Sequence, residues 1–194
     1  MILWTIQPLP VWNQLQEKGI YLCDPNRFSM PEFAWSYDWL VERMAEKIGP
    51  PPKNVVYPVW AWYKQSGKHR KPDLRKERWG YGPGGEDYSC IELEVPDEEV
   101  VLSDFDLWSL VLLNALISES EEEDSVLEKH YDSLPPEQQQ DFKKQNWERI
   151  FDLTPLQNHW ITRGQWVQAT FWQLKKEYIR KVRFFRTAKR KPGT

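Results

Sequence analysis

Strand-like and helix-like segments follow one another in an irregular order along the 194-residue chain. Patterns typical of strands occur at residues 2–7 and 90–95, and again in two late segments, 165–174 and 177–186. Helical patterns lie between them without the regular strand–helix succession of a parallel sheet. The sequence therefore predicts an α+β fold in which a mixed or antiparallel sheet, either continuous or split, is flanked by helices.

The length of the chain favours one domain. A single domain commonly spans about 100 to 200 residues, and the chain shows no internal repeat. Its composition, 40% hydrophobic and 28% charged, is that of an ordinary globular protein. We expect residues 1–186 to form one α+β domain and residues 187–194 to form a flexible basic tail.

Two segments have the spacing of a helix N-terminal capping box. Residues 29–32 read Ser-Met-Pro-Glu and introduce an apolar stripe over 33–48 that glycine ends. Residues 103–106 read Ser-Asp-Phe-Asp and introduce a segment, 107–117, that is apolar nearly all round. A shorter helix is predicted at 11–18, where a glycine follows as a C-terminal cap.

Three expectations concern where the strands lie. Pro58 interrupts the strand-forming run 55–63, and because proline removes a ladder donor, we expect this strand at a sheet edge or a bulge. Residues 100–102 are expected to pair with 90–95 as a hairpin. The two late strands are expected to form a second hairpin around residues 175–176.

Tryptophan supplies an unusual share of the apolar side chains. The chain contains twelve tryptophans, and each buried aromatic residue removes roughly 150 to 250 Å² from water. We therefore expect a core built on indoles. Trp4, Trp39, Trp108 and Trp172 are predicted to be buried, because each lies in a strongly periodic apolar segment.

The net charge of −3 conceals two basic segments. Residues 64–78 carry seven Lys or Arg and residues 175–191 carry nine, whereas residues 92–152 are acidic. A polyanion would meet such a local surface rather than the average charge. The late segment is either a footprint for nucleic acid or a nucleotide, or the outer face of an edge strand, and its alternating cations favour the edge strand.

Several classes of site are disfavoured. No window of about 18 apolar residues occurs, so we expect no membrane span. Cys23 and Cys90 lack the spacing of a zinc motif and are too few for a disulfide framework. His69, His130 and His159 lie far apart, which disfavours a metal site or a catalytic triad. These features favour a cytoplasmic protein without a metal.

An Asp-x-Asp pair follows a strand-like apolar run. Asp104 and Asp106 could hold Mg²⁺ there, because a hard cation prefers clustered oxygens. Alternatively, Ser103 and Asp106 are the N-cap and N3 residues of a helix, where both residue types stabilise the first turn. The capping interpretation is favoured. Asp104, Asp106 and the later Gln168 remain the candidates for catalysis.

The loop after the 55–63 strand combines groups that bind phosphates with groups that stack on bases. Trp62 and Tyr63 precede a basic segment that contains Lys71 and Arg75 and ends in glycines. No named phosphate-binding motif occurs, but loops of about 25 residues are unusually long and often functional. These four residues are predicted to bind a phosphate-bearing ligand, with Arg75 as the anchor because its planar fork can grip two oxygens. The alternative is a solvated surface.

Seven short motifs together resemble a known family. They are M-I-L-W-T-I-Q at 1–7, Y-D-W at 37–39, V-W-A-W-Y at 59–63, K-P-D-L-R at 71–75, L-S-D-F-D-L-W at 102–108, W-E-R-I-F-D at 147–152 and Q-A-T-F-W at 168–172. The family is one of bacterial proteins described as a domain of unknown function. The resemblance spans nearly the whole chain and implies one domain, and it implies no activity.

The order of an early strand, a helix and late strands is also similar in layout to ADP-ribosyltransferases, which grip NAD in a split sheet. The similarity implies that the ring of Trp62 or Tyr63 would stack on the nicotinamide. It also implies that Arg75 would contact the pyrophosphate and that Gln168 would lie near the reacting centre. The sequence departs from that pattern. Gln168 and Thr170 stand where a Glu is expected, and Thr5 stands where a His or Arg is usual.

Three functions stay open on these observations. The leading hypothesis is a domain that binds a nucleotide or another phosphate-bearing small molecule, with nucleic acid as a further candidate partner. The second is an enzyme that acts on NAD or a nucleotide, with NAD as its cofactor. The third is an interaction protein whose acidic and basic surfaces contact a partner.

Overall fold

Within the described part of the chain, ten strands build one large sheet and two small ones. The computed structural model describes residues 1–23 and 31–189. Its strands are β1 (Ile2–Pro8), β2 (Ile20–Tyr21), β3 (Val59–Lys64), β4 (Asp87–Glu94), β5 (Val101–Asp104), β6 (Leu156–Gln157), β7 (Thr162–Arg163), β8 (Val167–Phe171), β9 (Leu174–Lys175) and β10 (Ile179–Arg186). Six strands form an open sheet in the order β10-β4-β1-β3-β8-β5, and every neighbouring pair is antiparallel. The pairs β2·β9 and β6·β7 form the two small sheets.

Six α-helices flank these strands within the described ranges. They are α1 (Leu9–Lys18), α2 (Ala34–Ile48), α3 (Leu74–Glu77), α4 (Phe105–Leu112), α5 (Glu121–Ser133) and α6 (Pro136–Asn146). None of them has both the length and the apolar character needed to cross a membrane. The predicted single α+β domain with an antiparallel sheet flanked by helices is confirmed, and the large sheet is continuous rather than split.

One face of the large sheet packs against α1. Leu3 and Leu93 are paired across β1 and β4, and both belong to a buried cluster with Phe171 of β8. Val11 and Leu15 of α1 join this cluster, since residues four apart share one side of a helix. The helix ends at a left-handed glycine, as its sequence predicted.

The opposite face carries an aromatic core over β3, β8 and β5. The ring of Trp39 in α2 lies 5.5 Å from that of Trp147, and the ring of Trp60 in β3 lies 5.4 Å from that of Trp108 in α4. Trp39, Trp108 and Trp147 are all buried. Indoles therefore join helices to the sheet, where most proteins would use Leu or Ile.

The burial predicted for four tryptophans is confirmed. Trp4, Trp39, Trp108 and Trp172 are between 2% and 8% exposed. Trp79 and Trp160 are instead exposed, at 58% and 41%. Tryptophans therefore occur both in the core and on the surface.

The strand β3 lies in the interior of the sheet, between β1 and β8, so its predicted edge position is wrong. The strand begins at Val59, one residue after Pro58, and the missing proline N–H therefore falls outside the ladder. A register shift between Trp62 and Lys64 marks an irregularity near the end of the strand, away from the proline.

Both predicted hairpins are wrong. Strand β5 pairs with β8 rather than β4, and β10 pairs with β4 rather than β8. Neither connection is a tight turn: the 3-10 segment Asp97–Glu99 follows β4, while β9 and the 3-10 segment Lys176–Tyr178 separate β8 from β10. Strand β9 pairs with β2 in a separate small sheet, and β10 then forms the edge of the large sheet opposite to β5.

The N-cap of α4 is Asp104 rather than Ser103, which corrects the predicted capping box. Asp104 Oδ1 accepts hydrogen bonds from the N–H groups of Asp106 and Leu107, both at 3.0 Å, and its Oδ2 accepts one from the N–H of Gly164 at 2.6 Å. Ser103 is fully buried, and its Oγ has no partner among the described residues. One carboxylate therefore satisfies three backbone donors.

The helix predicted after residue 29 begins later. Ser29 and Met30 lie outside the described residues, so the capping box predicted at 29–32 falls partly outside them. A 3-10 turn at Pro31–Phe33 leads into α2, which ends at Ile48 before Gly49, as predicted.

The end of the described chain is attached to the loop that precedes β4. The N–H of Thr187 donates to the carbonyl of Glu86 at 2.9 Å, and the N–H of Ala188 donates to that of Arg78 at 2.7 Å. Thr187 and Ala188 are buried. The segment predicted as a tail, 187–194, thus begins with two buried residues, and residues 190–194 lie outside the described part of the chain.

We predict that Asp104→Ala lowers the free energy of unfolding by roughly 2 to 4 kcal/mol, because it removes a cap and leaves the Gly164 N–H buried without a partner. Ser103→Ala serves as the matched control and should change the stability little, since its hydroxyl has no partner to lose. Urea denaturation midpoints measure both. Equal losses, or a larger loss for Ser103→Ala, would contradict the assignment.

Candidate functional site

The segment between β3 and β4, residues 65–86, packs onto the sheet and is called the β3–β4 loop below. Its residues Leu74 and Tyr81 contact a small apolar cluster on the face of β1 and β4. That cluster consists of Trp4, Ile6, Tyr88 and Cys90. The loop is therefore a packed part of the fold, and its polar side chains have defined positions.

Two further contacts hold the β3–β4 loop in place. Asp73 caps α3 within the loop, accepting a hydrogen bond from the N–H of Arg75 at 3.1 Å. Arg183 of β10 reaches across from the edge of the sheet. Its Nη2 donates to the carbonyl of Pro72 and lies equally near Cys90 Sγ, 3.4 Å in each case. The guanidinium thus joins the loop to two strands.

The β3–β4 loop, β10 and the residue before β8 line an open pocket of about 550 Å³. We call it the basic pocket, after the five cationic side chains that line it: Arg70, Lys71, Arg75, Lys76 and Arg183. Its other polar or aromatic lining includes Gln65, Asp73, Glu77 and Trp166. With five cations and two carboxylates, the lining is positive overall.

The cations of the basic pocket differ in how far they are already paired. Arg75 Nε and Nη2 donate to the two carboxylate oxygens of Asp73, each at 2.9 Å. These hydrogen bonds lower the pKa of Asp73 to about 2 and raise the pKa of Arg75. The side chains of Arg70, Lys71 and Lys76 are exposed and make no ion pair or hydrogen bond with the described residues. These three cations are therefore more available to an anion than Arg75 is.

Glu77 is a half-buried carboxylate within this basic pocket. Its Oε1 accepts a hydrogen bond from Gln65 Nε2 at 3.1 Å, and the nearby Tyr81 hydroxyl partly offsets the effect of burial on the pKa of the carboxyl group. Tyr81 itself accepts a hydrogen bond from Trp62 Nε1 at 3.4 Å. Burial raises the pKa of Glu77 and raises that of Tyr81 to about 12.

The four residues predicted to bind a ligand divide between two places. Lys71 and Arg75 line the basic pocket. Trp62 does not line it, but its ring centroid lies 5.9 Å from that of Trp166, which does. Tyr63 packs against the core on the opposite face of the sheet. The aromatic side chain that accompanies the cations is thus Trp166.

The three catalytic candidates lie apart from the lining of the basic pocket. Both carboxylate oxygens of Asp104 accept backbone N–H groups. Asp106 is half-buried, and burial together with the charge of Asp104 raises its pKa. Gln168 pairs with Ser103 and Trp62 in the sheet, and its Oε1 is buried without a partner among the described residues. The geometry does not bring these three groups together with Arg75.

The metal alternative for the Asp-x-Asp pair receives no support from the geometry. In the part of the chain that the structure describes, no three His, Cys, Asp or Glu side chains are grouped so as to hold a metal ion. Asp104 is committed to backbone donors at the start of α4. Its contacts are those of a helix cap.

The sequence prediction named only Lys71 and Arg75 among the charged, amide and aromatic residues of the lining. It missed Gln65, Arg70, Asp73, Lys76, Glu77, Trp166 and Arg183. A signal was available for Glu77, because a lone glutamate among many cations stands out within the predicted loop. Trp166 and Arg183 carried no such signal. They reach the pocket only through the sheet order, which places β8 and β10 on either side of β1, β3 and β4.

The fold and the site define an α+β domain with a positively charged pocket on one face of an antiparallel sheet. A family model described as Domain of unknown function (DUF3841) matches residues 2–180. The chain therefore belongs to the DUF3841 family, and the resemblance to a domain of unknown function is confirmed. Comparisons with curated proteins and with solved structures gave no match.

Proposed function

We propose that the chain binds a phosphate-bearing small molecule in the basic pocket. The observation that carries the proposal is the convergence of five cations on one concavity, with Arg70 and Lys71 making no side-chain bond to the described residues. Cations that share a pocket repel one another, and an anion with several oxygens would relieve that repulsion. The volume, about 550 Å³, is within the usual range for small ligands, roughly 300 to 1,000 Å³.

The second basic segment gives less support to nucleic acid as a partner. Strand β10 is an edge strand, and Arg180 lies 3.2 Å from Glu94 of the neighbouring β4, while Arg186 lies 4.0 Å from Asp87. Such pairing, and the role of cations in preventing edge-to-edge association, accounts for these two arginines without a polyanion. Arg183 alone of this strand lines the basic pocket.

Binding is favoured over catalysis on the same grounds. The groups predicted to act in catalysis on NAD or a nucleotide, Asp104, Asp106 and Gln168, are absent from the lining of the basic pocket, where the cations converge. The proposed location is the cytoplasm, an inference that rests on the low cysteine content.

We predict that the double variant Arg70→Gln/Lys71→Gln binds pyrophosphate at least about tenfold more weakly than the parent, because two charge-assisted contacts are lost. Isothermal titration at constant salt measures the affinity. The control Lys18→Gln/Lys129→Gln removes the same charge from exposed positions on α1 and α5. Failure of the parent to bind any of phosphate, pyrophosphate and ADP would overturn the proposal, as would equal losses in the two double variants.

The Asp73–Arg75 pair generates a prediction of opposite sign. Asp73→Asn should strengthen pyrophosphate binding several-fold, because it removes a negative charge from the lining and frees the Arg75 fork, while Asn still caps α3. Glu94→Gln, which frees Arg180 at the sheet edge, is the control and should have little effect. Weaker binding by Asp73→Asn would show that the anion does not use Arg75.

A further inference from the structure

We propose that the ligand of the basic pocket is a ribonucleotide whose sugar hydroxyls donate to Glu77 and whose base packs on Trp166. This inference rests on the proposed function and narrows it from any phosphate-bearing molecule to one class. Two groups that line the pocket support this inference, because neither of them would contribute to the binding of a bare phosphate.

Glu77 is the first of these groups. A carboxylate facing a bound phosphate would repel it, so a pocket for inorganic phosphate alone would be weakened by Glu77. An ionised carboxylate offers about four acceptor positions, and the hydrogen bond from Gln65 leaves others for a ligand. Sugar hydroxyls are donors of the required kind, and carboxylates are well suited to accept from them.

The surroundings of Glu77 hold the carboxylate in one orientation. Gln65 is 7% exposed and Tyr81 belongs to the packed part of the β3–β4 loop. Because these two neighbours are packed in place, they keep the Glu77 carboxylate positioned before a ligand binds. Such positioning reduces the entropy cost of binding. Burial raises the pKa of Glu77, so its ionised form gains from any further donor that a ligand provides.

Trp166 is the second group. Trp166 lines the pocket, and its ring meets that of Trp62 at 69° with centroids 5.9 Å apart. Its backbone carbonyl accepts a hydrogen bond from the N–H of Phe105 at 2.8 Å, directly before the buried strand β8. An indole supported by a neighbouring ring and a fixed backbone can stack on a flat base, which every nucleotide provides.

In one pocket, the phosphates of a ribonucleotide would thus contact the cations, its sugar hydroxyls would contact Glu77, and its base would contact Trp166. The volume of about 550 Å³ leaves most of the space empty around a lone phosphate ion, whereas a nucleotide would occupy much more of it. The alternative for Glu77 is a purely structural role, in which it only orders Gln65 and Tyr81. The two roles predict different responses to substitution.

Titrations of ADP and pyrophosphate against the full chain separate these roles. The parent should bind ADP at least about tenfold more tightly than pyrophosphate. Glu77→Gln should weaken ADP binding and strengthen pyrophosphate binding, because it removes both an acceptor and a repulsive charge, while the Gln side chain can still accept from Gln65. A structural role would instead lower both affinities together, and equal unfolding midpoints confirm that the variant is folded.

Trp166→Leu tests the base contact independently. It should weaken ADP binding by about tenfold and leave pyrophosphate binding unchanged, since stacking contributes about 1 to 3 kcal/mol per base. Trp79→Leu, which removes an exposed indole of the same loop outside the pocket lining, should change neither. If pyrophosphate binds as tightly as ADP, this inference is wrong and the proposed function stands; if neither binds, the proposed function itself fails.

Discussion

The antiparallel pairing of β1 with β4 organises the molecule. Seven consecutive residue pairs, from Ile2↔Glu94 to Pro8↔Tyr88, join the two strands. Apolar side chains of this pair lie on both faces, in two different clusters, so a slip of one residue would move each set of side chains to the other face. One face meets α1, and the other carries the apolar cluster onto which the β3–β4 loop packs. The position of the basic pocket is therefore a consequence of this register.

The electrostatics of the basic pocket follow from that placement. Leu74 and Tyr81 bury the inner side of the β3–β4 loop, which leaves its many cations to face outward and toward one another. Asp73 offsets part of this charge by pairing with Arg75, and Glu77 accepts a hydrogen bond from the neutral side chain of Gln65 rather than from a cation. The two carboxylates of the basic pocket thus have different partners.

Local sequence patterns predicted most of the helices and strands, but they did not predict which strands pair with each other. Alternation identified β4, and helical periodicity identified α1 and α2, because each pattern depends only on which side chains face the core. Such patterns do not determine the order of strands in a sheet. For this reason β3 was predicted at an edge, and both hairpins were predicted with the wrong partners. The same limit applied to the site. Lys71 and Arg75 share a loop and could be grouped from sequence, whereas Trp166 and Arg183 join them only in the folded sheet. The remaining error concerns the N-cap of α4, which was predicted to be Ser103. The cap is Asp104, which also accepts a hydrogen bond from the N–H of Gly164, a distant residue that no sequence pattern links to it.

Hydrogen–deuterium exchange with and without ADP tests the central claim most directly. The account predicts slower exchange in the β3–β4 loop at residues 65–80 and in the peptides that contain Trp166 and Arg183. Exchange in α5 and α6, which contribute nothing to the lining of the basic pocket, should stay the same. Unchanged exchange in residues 65–80 at saturating ADP, or protection confined to α5 and α6, would contradict the account.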